Sequence, residues 1–171
     1  VHQGAGLGLS LRTSGKLLGW LNLSPHASFA QNWYDIDRQG NRYASRLTYD
    51  AGVSASTTIY GTFMPHAGWL EGVRHIVEPS ATYSWVPDFD RYFDDGVDRF
   101  YTFSGFGSTP TAREAVSVSL VNKLQLKLRD GESVRKLDSF FRLSLSSAYD
   151  LRGEGERWSD VVTRAELRPG E

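Results

Sequence analysis

Residues able to do chemistry are few in this chain, and their spacing suits it poorly. In "HAGWLEGVRH", His66, Glu71 and His75 could ligate a metal ion. Their spacing is not that of a helical His-Glu-x-x-His pair, however, and Gly68 and Gly72 place the stretch in a turn. Interfacial polar residues are the plainer reading. "PDFDRYFDDGVD" gathers Asp88, Asp90, Asp94, Asp95 and Asp98, but Tyr92 stands where an EF-hand-like loop needs its fifth-position oxygen. A solvated acidic loop is expected there, with loose binding of divalent cations as the alternative. No Gly-x-Ser-x-Gly elbow occurs, since "FSGFGS" does not fit it, and no Ser–His–acid grouping can be placed. Arg46, Lys123, Lys127, Arg142 and Arg164 could contact the phosphates of an anionic lipid. They could equally pair with Asp50, Asp150 and Glu166 inside a hydrated cavity. No catalytic residue, metal site or cofactor is expected, and the chain does not read as an enzyme.

Composition narrows the classes that remain. The 171 residues suffice for one domain, and a formal net charge of −1 gives no drive toward nucleic acid. There are no cysteines, so disulfide scaffolds and thiolate metal sites are excluded. The opening Val1, without a leader pattern after it, reads as the inside of a longer chain. Mean hydropathy is −0.39, and no apolar run approaches the ~18–20 residues of a membrane helix. That test does not touch a membrane β-barrel, whose strands need an apolar residue only at every second position. Aromatics make up 13% of the chain, and no capped run has helical spacing, so the class is all-β.

Seven segments alternate with period two. The first, about Gln3–Arg12, sets Ala5, Leu7, Leu9 and Leu11 against glycines and Ser10. The second covers about Leu18–Tyr34 and the third about Tyr43–Phe63. After a connection from Met64 to Val73, the fourth carries Val77, Pro79, Ala81, Tyr83 and Trp85 on one face. A loop of roughly Pro87 to Arg113 precedes a fifth segment at about Ala115–Leu128. The sixth covers about Ser139–Leu151, and the seventh begins near Ser159.

All seven are long against the ~5–6 residues of an ordinary globular strand. Their polar faces carry charges deep inside, among them Arg46, Asp50, Lys123 and Arg142. A wet interior behind an apolar exterior fits both facts. If the long loop marks the outer side, Trp33, Tyr83, Trp85 and Tyr149 fall at the outer strand ends. Trp20, Phe63 and Phe141 then fall at the opposite end, giving two interfacial girdles. Trp20 and Trp158 are out of phase with their strands, which suggests turns or bulges. The expected architecture is an incomplete antiparallel transmembrane β-barrel, with residues 1–171 forming a segment of a single domain. Passive porin-like channels share this pattern. So do soluble β-sandwiches and lipocalin-like modules, whose apolar face turns inward.

Several ordered blocks together carry a family resemblance. "TTIYGTF", "VRHIVEPSATYSWVPDFD", "VSVSLVNKLQLKL", "FFRLSLSSAYDL" and "WSDVVTRAELRP" resemble the C-terminal barrel of the lipopolysaccharide-assembly protein family LptD, also called organic solvent tolerance protein. The resemblance covers about Arg46–Pro169, and the first two strands weakly. It implies the outer membrane of a Gram-negative bacterium, with lipopolysaccharide moved among outer-membrane lipids into the outer leaflet. It also implies an LptE-like lipoprotein plug, a periplasmic Lpt bridge and a lateral gate. The family's periplasmic jellyroll and its disulfide cysteines are absent from this segment. Seven strands would leave an open sheet whose edges need closing, at several kcal/mol for each unsatisfied group in lipid.

Pro25 and Pro79 lie within strands on the apolar face, and neither can donate to a ladder. A bulge at a barrel kink is the expected reason. In the family, prolines near the gate are thought to loosen strand pairing, and that is the alternative.

Overall fold

The structure of the chain, a computed structural model, describes residues 2–65, 68–103, 105–131 and 133–168. Its β-strands are β1 (Gly4–Arg12), β2 (Gly15–Leu17), β3 (Leu21–Ile36), β4 (Arg42–Ser56), β5 (Ile59–Phe63), β6 (Leu70–Val86), β7 (Phe93–Asp94), β8 (Val97–Asp98), β9 (Arg113–Asp130), β10 (Ser133–Asp150) and β11 (Val162–Leu167). The main sheet is antiparallel in the order β1-β3-β4-β6-β9-β10-β11, with β2 added to β3 and β5 to β6. It does not close: β1 and β11 each have one neighbour among the described residues. β3, β6, β9 and β10 run 16, 17, 18 and 18 residues, the length expected of strands that cross a bilayer and extend beyond it.

The registers hold one side of the sheet apolar across every strand. Leu9 opposes Phe29, Phe29 opposes Tyr49, Val53 opposes Tyr83, and Tyr83 opposes Val116. Leu120 then opposes Leu145, and Leu143 opposes Ala165. The reverse side carries Ser28, Asp50, Ser54, Thr82, Ser117, Lys123 and Arg142. Alternation fixes this split, because a one-residue slip would exchange the two sides.

No second layer covers the apolar side among the described residues. Leu7, Leu9 and Leu11 are 65%, 54% and 56% exposed, and Val118 is 38% exposed. The buried hydrophobics are Tyr34, Phe89, Phe100 and Ala115. Of these, Tyr34 and Ala115 lie on the polar side, and the two phenylalanines belong to the β6–β9 connection. The core of this segment therefore sits beneath that connection, mostly on the polar side, and reaches the apolar stripe only where Phe89 meets Tyr49.

The strand ends depart from the sequence expectation at three places. The third segment divides into β4 and β5 at Thr57–Thr58. β6 begins at Leu70 rather than near Arg74, and β10 at Ser133 rather than Ser139. The added turns of β6 and β10 carry Glu71, Arg135 and Lys136, whose charges hide the alternation.

The proline bulges expected at Pro25 and Pro79 do not occur. Register is unbroken past Pro25, from Arg12 opposite His26 to Gly15 opposite Leu23. It is equally unbroken past Pro79, from Ser56 opposite Ser80 to Ile59 opposite Val77. Each proline instead interrupts the neighbouring strand. The Pro25 carbonyl accepts from the Thr13 N–H at 3.2 Å, and the Pro79 carbonyl accepts from the Thr57 N–H at 3.2 Å. In each narrow pair the return bond needs the N–H that proline lacks. Thus β1 stops and β2 restarts opposite Pro25, just as β4 stops and β5 restarts opposite Pro79. Replacing Pro79 with alanine should supply the donor, fuse β4 with β5 and stabilise the pair by about 0.5–1.5 kcal/mol, read from denaturant midpoints of the folded barrel.

A true irregularity lies in β10. Leu137 opposes Leu126 and Phe141 opposes Leu124, so Asp138–Phe140 face Gln125 alone. Two extra residues enter here, and facing is preserved on both sides of the bulge.

Candidate functional site

Loops of unequal size mark the two ends of the sheet. Tight connections join β2 to β3 (Leu18–Trp20) and β9 to β10, where Gly131 takes a φ of 61°. At the other end lie Asp37–Asn41, Pro87–Ala112 and Leu151–Val161. The Pro87–Ala112 connection holds one 3₁₀ turn, Asp90–Tyr92, and the β7–β8 hairpin. It folds inward over the polar side rather than standing away from it.

Arg46 is the anchor. It is only 3% exposed, and its guanidinium donates to Thr109 Oγ1 at 3.1 Å and to the Gly107 carbonyl at 2.8 Å. Asp98 lies 3.6 Å away and accepts from the Thr109 N–H at 2.6 Å, which locks both halves of the connection to β4. The guanidinium also lies over the rings of Tyr34 and Phe100, at 5.6 and 5.4 Å. Phe100, Phe103 and Phe106 surround Tyr34. They fit because β1 offers glycine there: a Cβ on Gly4 would lie 2.7 Å from the Trp33 carbonyl and 3.1 Å from Phe103. A recess of about 530 Å³ remains beside this cluster, lined by Gly6, Gly8, Asn32, Thr48, Phe106 and Ser108.

The same connection repairs a step in the sheet. β6 pairs with β4 only over Ala51–Ser56, so among the described residues the long-loop half of β4 lacks a strand on that side. The Tyr92 hydroxyl fills in, accepting from the Leu47 N–H at 3.0 Å and donating to the Leu47 carbonyl at 3.2 Å. Phe89 packs edge-on against Tyr49 at 5.6 Å.

Asp37 pins the β3–β4 turn to this structure. Its carboxylate accepts from the N–H groups of Gln39 and Asn41, from the Asn41 amide, and from Arg99 at 2.9 Å. Burial pushes its carboxyl up, but the Asn41 and Arg99 donors outweigh burial and hold it below the ordinary value of 3.8. A depressed folded value means the unfolded chain takes up the proton first as pH falls. The contribution of Asp37 is therefore complete at neutral pH and is lost below about pH 4. Protease cutting of the Arg91–Arg99 segment should rise in that acid range, and Asp37→Asn should remove the transition.

The remaining basic residues lie toward the tight-turn end of the polar side. Lys123 pairs with Glu78 at 2.8 Å and Lys127 with Glu71 at 2.7 Å, while Arg129 shares Glu71. Arg142 stands between Lys123 and Glu166 in register. Arg142 and Arg164 are exposed, and neither side chain has a hydrogen bond or ion pair among the described residues. Of the five basic residues singled out in sequence, Arg46 is engaged within the chain, two are paired, and two face solvent. Arg74 and Lys136 join the same polar side, the first at the start of the expected fourth segment and the second outside the bounds of the sixth.

The aromatic residues divide by position. Trp33, Tyr83, Trp85 and Tyr149 all lie toward the long-loop ends of their strands on the apolar side. There Tyr83 donates to Glu114 at 2.9 Å. Tyr149 meets Trp158 ring to ring at 5.0 Å across an isolated bridge. Trp20 sits in the β2–β3 turn, whereas Phe141 lies midway along β10, because that strand begins earlier than expected. Of the metal-type residues, His66 lies outside the described residues, and His75 contacts Asn122 at 3.2 Å. The loop aspartates are dispersed: Asp94 accepts from Gln39, Asp98 faces Arg46, and Asp90 lies beside Asp88, which raises its carboxyl. Among the described residues no three His, Asp or Glu side chains converge as metal ligands.

Comparison with known proteins agrees with the geometry. No curated protein and no solved structure matches the chain. A family model described as LptD protein matches residues 1–169, almost the whole length. The chain belongs to the LptD family.

Proposed function

We propose that this segment is part of the wall of an outer-membrane translocon that inserts lipopolysaccharide into the outer leaflet. Membership of the LptD family already implies a role in lipopolysaccharide transport and assembly. The finer reading assigns a solvent to each side: acyl chains meet the apolar stripe, and water, sugar and phosphate meet the polar one.

One observation carries it. The apolar stripe is continuous across seven strands and stays exposed, while the buried cluster lies on the polar side or in the connection above it. A soluble sheet of this size would cover such a stripe. In a bilayer the stripe is already solvated, and the free edges of β1 and β11 are closed by further strands of the same barrel domain.

Arg142, Arg164 and Arg74 then offer charge to lipid phosphates, and the recess beneath Phe106 offers hydroxyl and amide groups to sugar. An LptE-like plug and the periplasmic Lpt bridge would be its partners. Chemistry on covalent bonds has no place in this scheme. In proteoliposomes holding the full translocon, Arg142→Glu with Arg164→Glu should slow lipopolysaccharide delivery several-fold while leaving the barrel folded. Ion conductance with no lipopolysaccharide delivery by the unmutated protein would favour a passive channel.

A further inference from the structure

Two polar residues meet within the apolar stripe, on strands that have neighbours on both sides. His75 of β6 lies in register with Leu124, and Asn122 of β9 lies in register with Val77 and Leu143. Alternation therefore puts both on the apolar side, where His75 Nε2 stands 3.2 Å from Asn122 Oδ1. His75 is exposed and Asn122 half-buried. With Nε2 donating to Oδ1, the Asn122 amide keeps two N–H donors that have no partner among the described residues. An ionisable side chain and spare donors turned toward hydrocarbon are costly, and such positions usually serve a function.

Two further features line up with the pair. Four residues from His75 toward the long-loop end, about 13 Å along the strand, lies Pro79. There a groove of about 550 Å³ opens, lined by Ala55, Pro79, Ala81, Val118, Leu120 and Leu145. It forms because Ala55 and Ala81, which oppose one another, are short beside Leu120 and Leu145. Equally far the other way, four residues from Leu124, Leu128 opposes Arg135 on the same apolar side. Arg135 is exposed and has no ion pair among the described residues. Closing strands join in the plane of the sheet, at its edges, and do not lie over the face of β6 and β9.

From the tight-turn end, the order along this face is cation, hydrogen-bond donors, apolar groove. A glycerophospholipid has the same order: phosphate, ester carbonyls, acyl chain. We propose that this face holds one glycerophospholipid from the leaflet on the tight-turn side. Its phosphate meets Arg135, an ester carbonyl accepts from the Asn122 amide, and one acyl chain runs into the groove. His75 is a positioning residue, holding the amide by its oxygen so that the N–H groups face the lipid. The proposal rests on the reading of the apolar stripe as lipid-facing, and not on transport.

Phosphatidylglycerol titrated into detergent-solubilised full-length protein tests it, with bound lipid counted by native mass spectrometry. The unmutated protein should retain one phosphatidylglycerol ahead of any others. His75→Leu with Asn122→Leu should weaken that first site about tenfold, and Arg135→Glu should weaken it by a similar factor. The paired leucines continue the stripe and leave no orphan group, and Arg135 lies near a strand end, so both variants should fold. Unchanged affinity in either variant overturns the proposal, as does a first site that prefers lipopolysaccharide. Val53→benzoylphenylalanine, on the same stripe but away from the site, separates the two readings in phosphatidylglycerol vesicles. Lipid adducts at that position with unchanged first-site affinity overturn the site alone. Absence of lipid adducts overturns the facing, and the site with it.

Discussion

Replacing Arg46 with alanine will detach the Pro87–Ala112 connection from β4 and cost about 3–5 kcal/mol. That is the usual penalty for removing one member of a buried ion pair and leaving its partner uncompensated. Asp98 is 15% exposed and would lose the guanidinium beside it, while Thr109 and the Gly107 carbonyl would each lose a donor. Phe100 and Tyr34 would lose the cation that lies over both rings. The loss should appear first as protease cutting between Asp98 and Thr109 in otherwise folded protein. It should then appear as a lower denaturant midpoint. Arg46→Lys should recover little, because an ammonium cannot serve Thr109, Gly107 and two aromatic faces at once.

The second large effect concerns facing. Leu120 opposes Pro79 on one side and Leu145 on the other, in the middle of the apolar stripe. Its neighbour Ser119 opposes Ser80 and Ser146 on the reverse side. Leu120→Arg should destabilise the folded barrel in lipid by about 2–4 kcal/mol, the cost of a basic residue near the bilayer midplane. Ser119→Arg, one residue away, should be nearly neutral on the proposed reading, in which that side faces water. Measured by reversible unfolding in lipid vesicles, an inverted order of the two would place the acyl chains on the wrong side. Equal and large penalties would point to a dry protein interior.

The alternation that defines β1, β3, β6 and β9 could be read directly from sequence, because every second residue answers to one solvent. The ends could not, because Glu71 and Lys136 sit on the polar side of genuine strands while Arg135, opposite Leu128, interrupts the apolar side, and all three look like loop. Pro25 and Pro79 were visible, but sequence cannot separate a bulge from a skipped ladder bond; only the register on both sides does. Arg46 was recognised as a charge within a strand. Its engagement was hidden, because its partners lie some sixty residues away in a connection without periodicity. Phe100, Phe103 and Phe106 gave no signal for the same reason. Their one sequence correlate is the run of glycines in β1, whose missing side chains leave room for the rings.

The doubled irregularity in β10 has an evolutionary reading. Adding one residue to a strand of this kind would turn everything beyond it inside out, whereas adding two leaves every later side chain in its proper medium. Asp138–Phe140 therefore mark a place where such a protein can grow or shrink by pairs without passing through a misoriented ancestor, and length variation among its relatives should fall there in even steps.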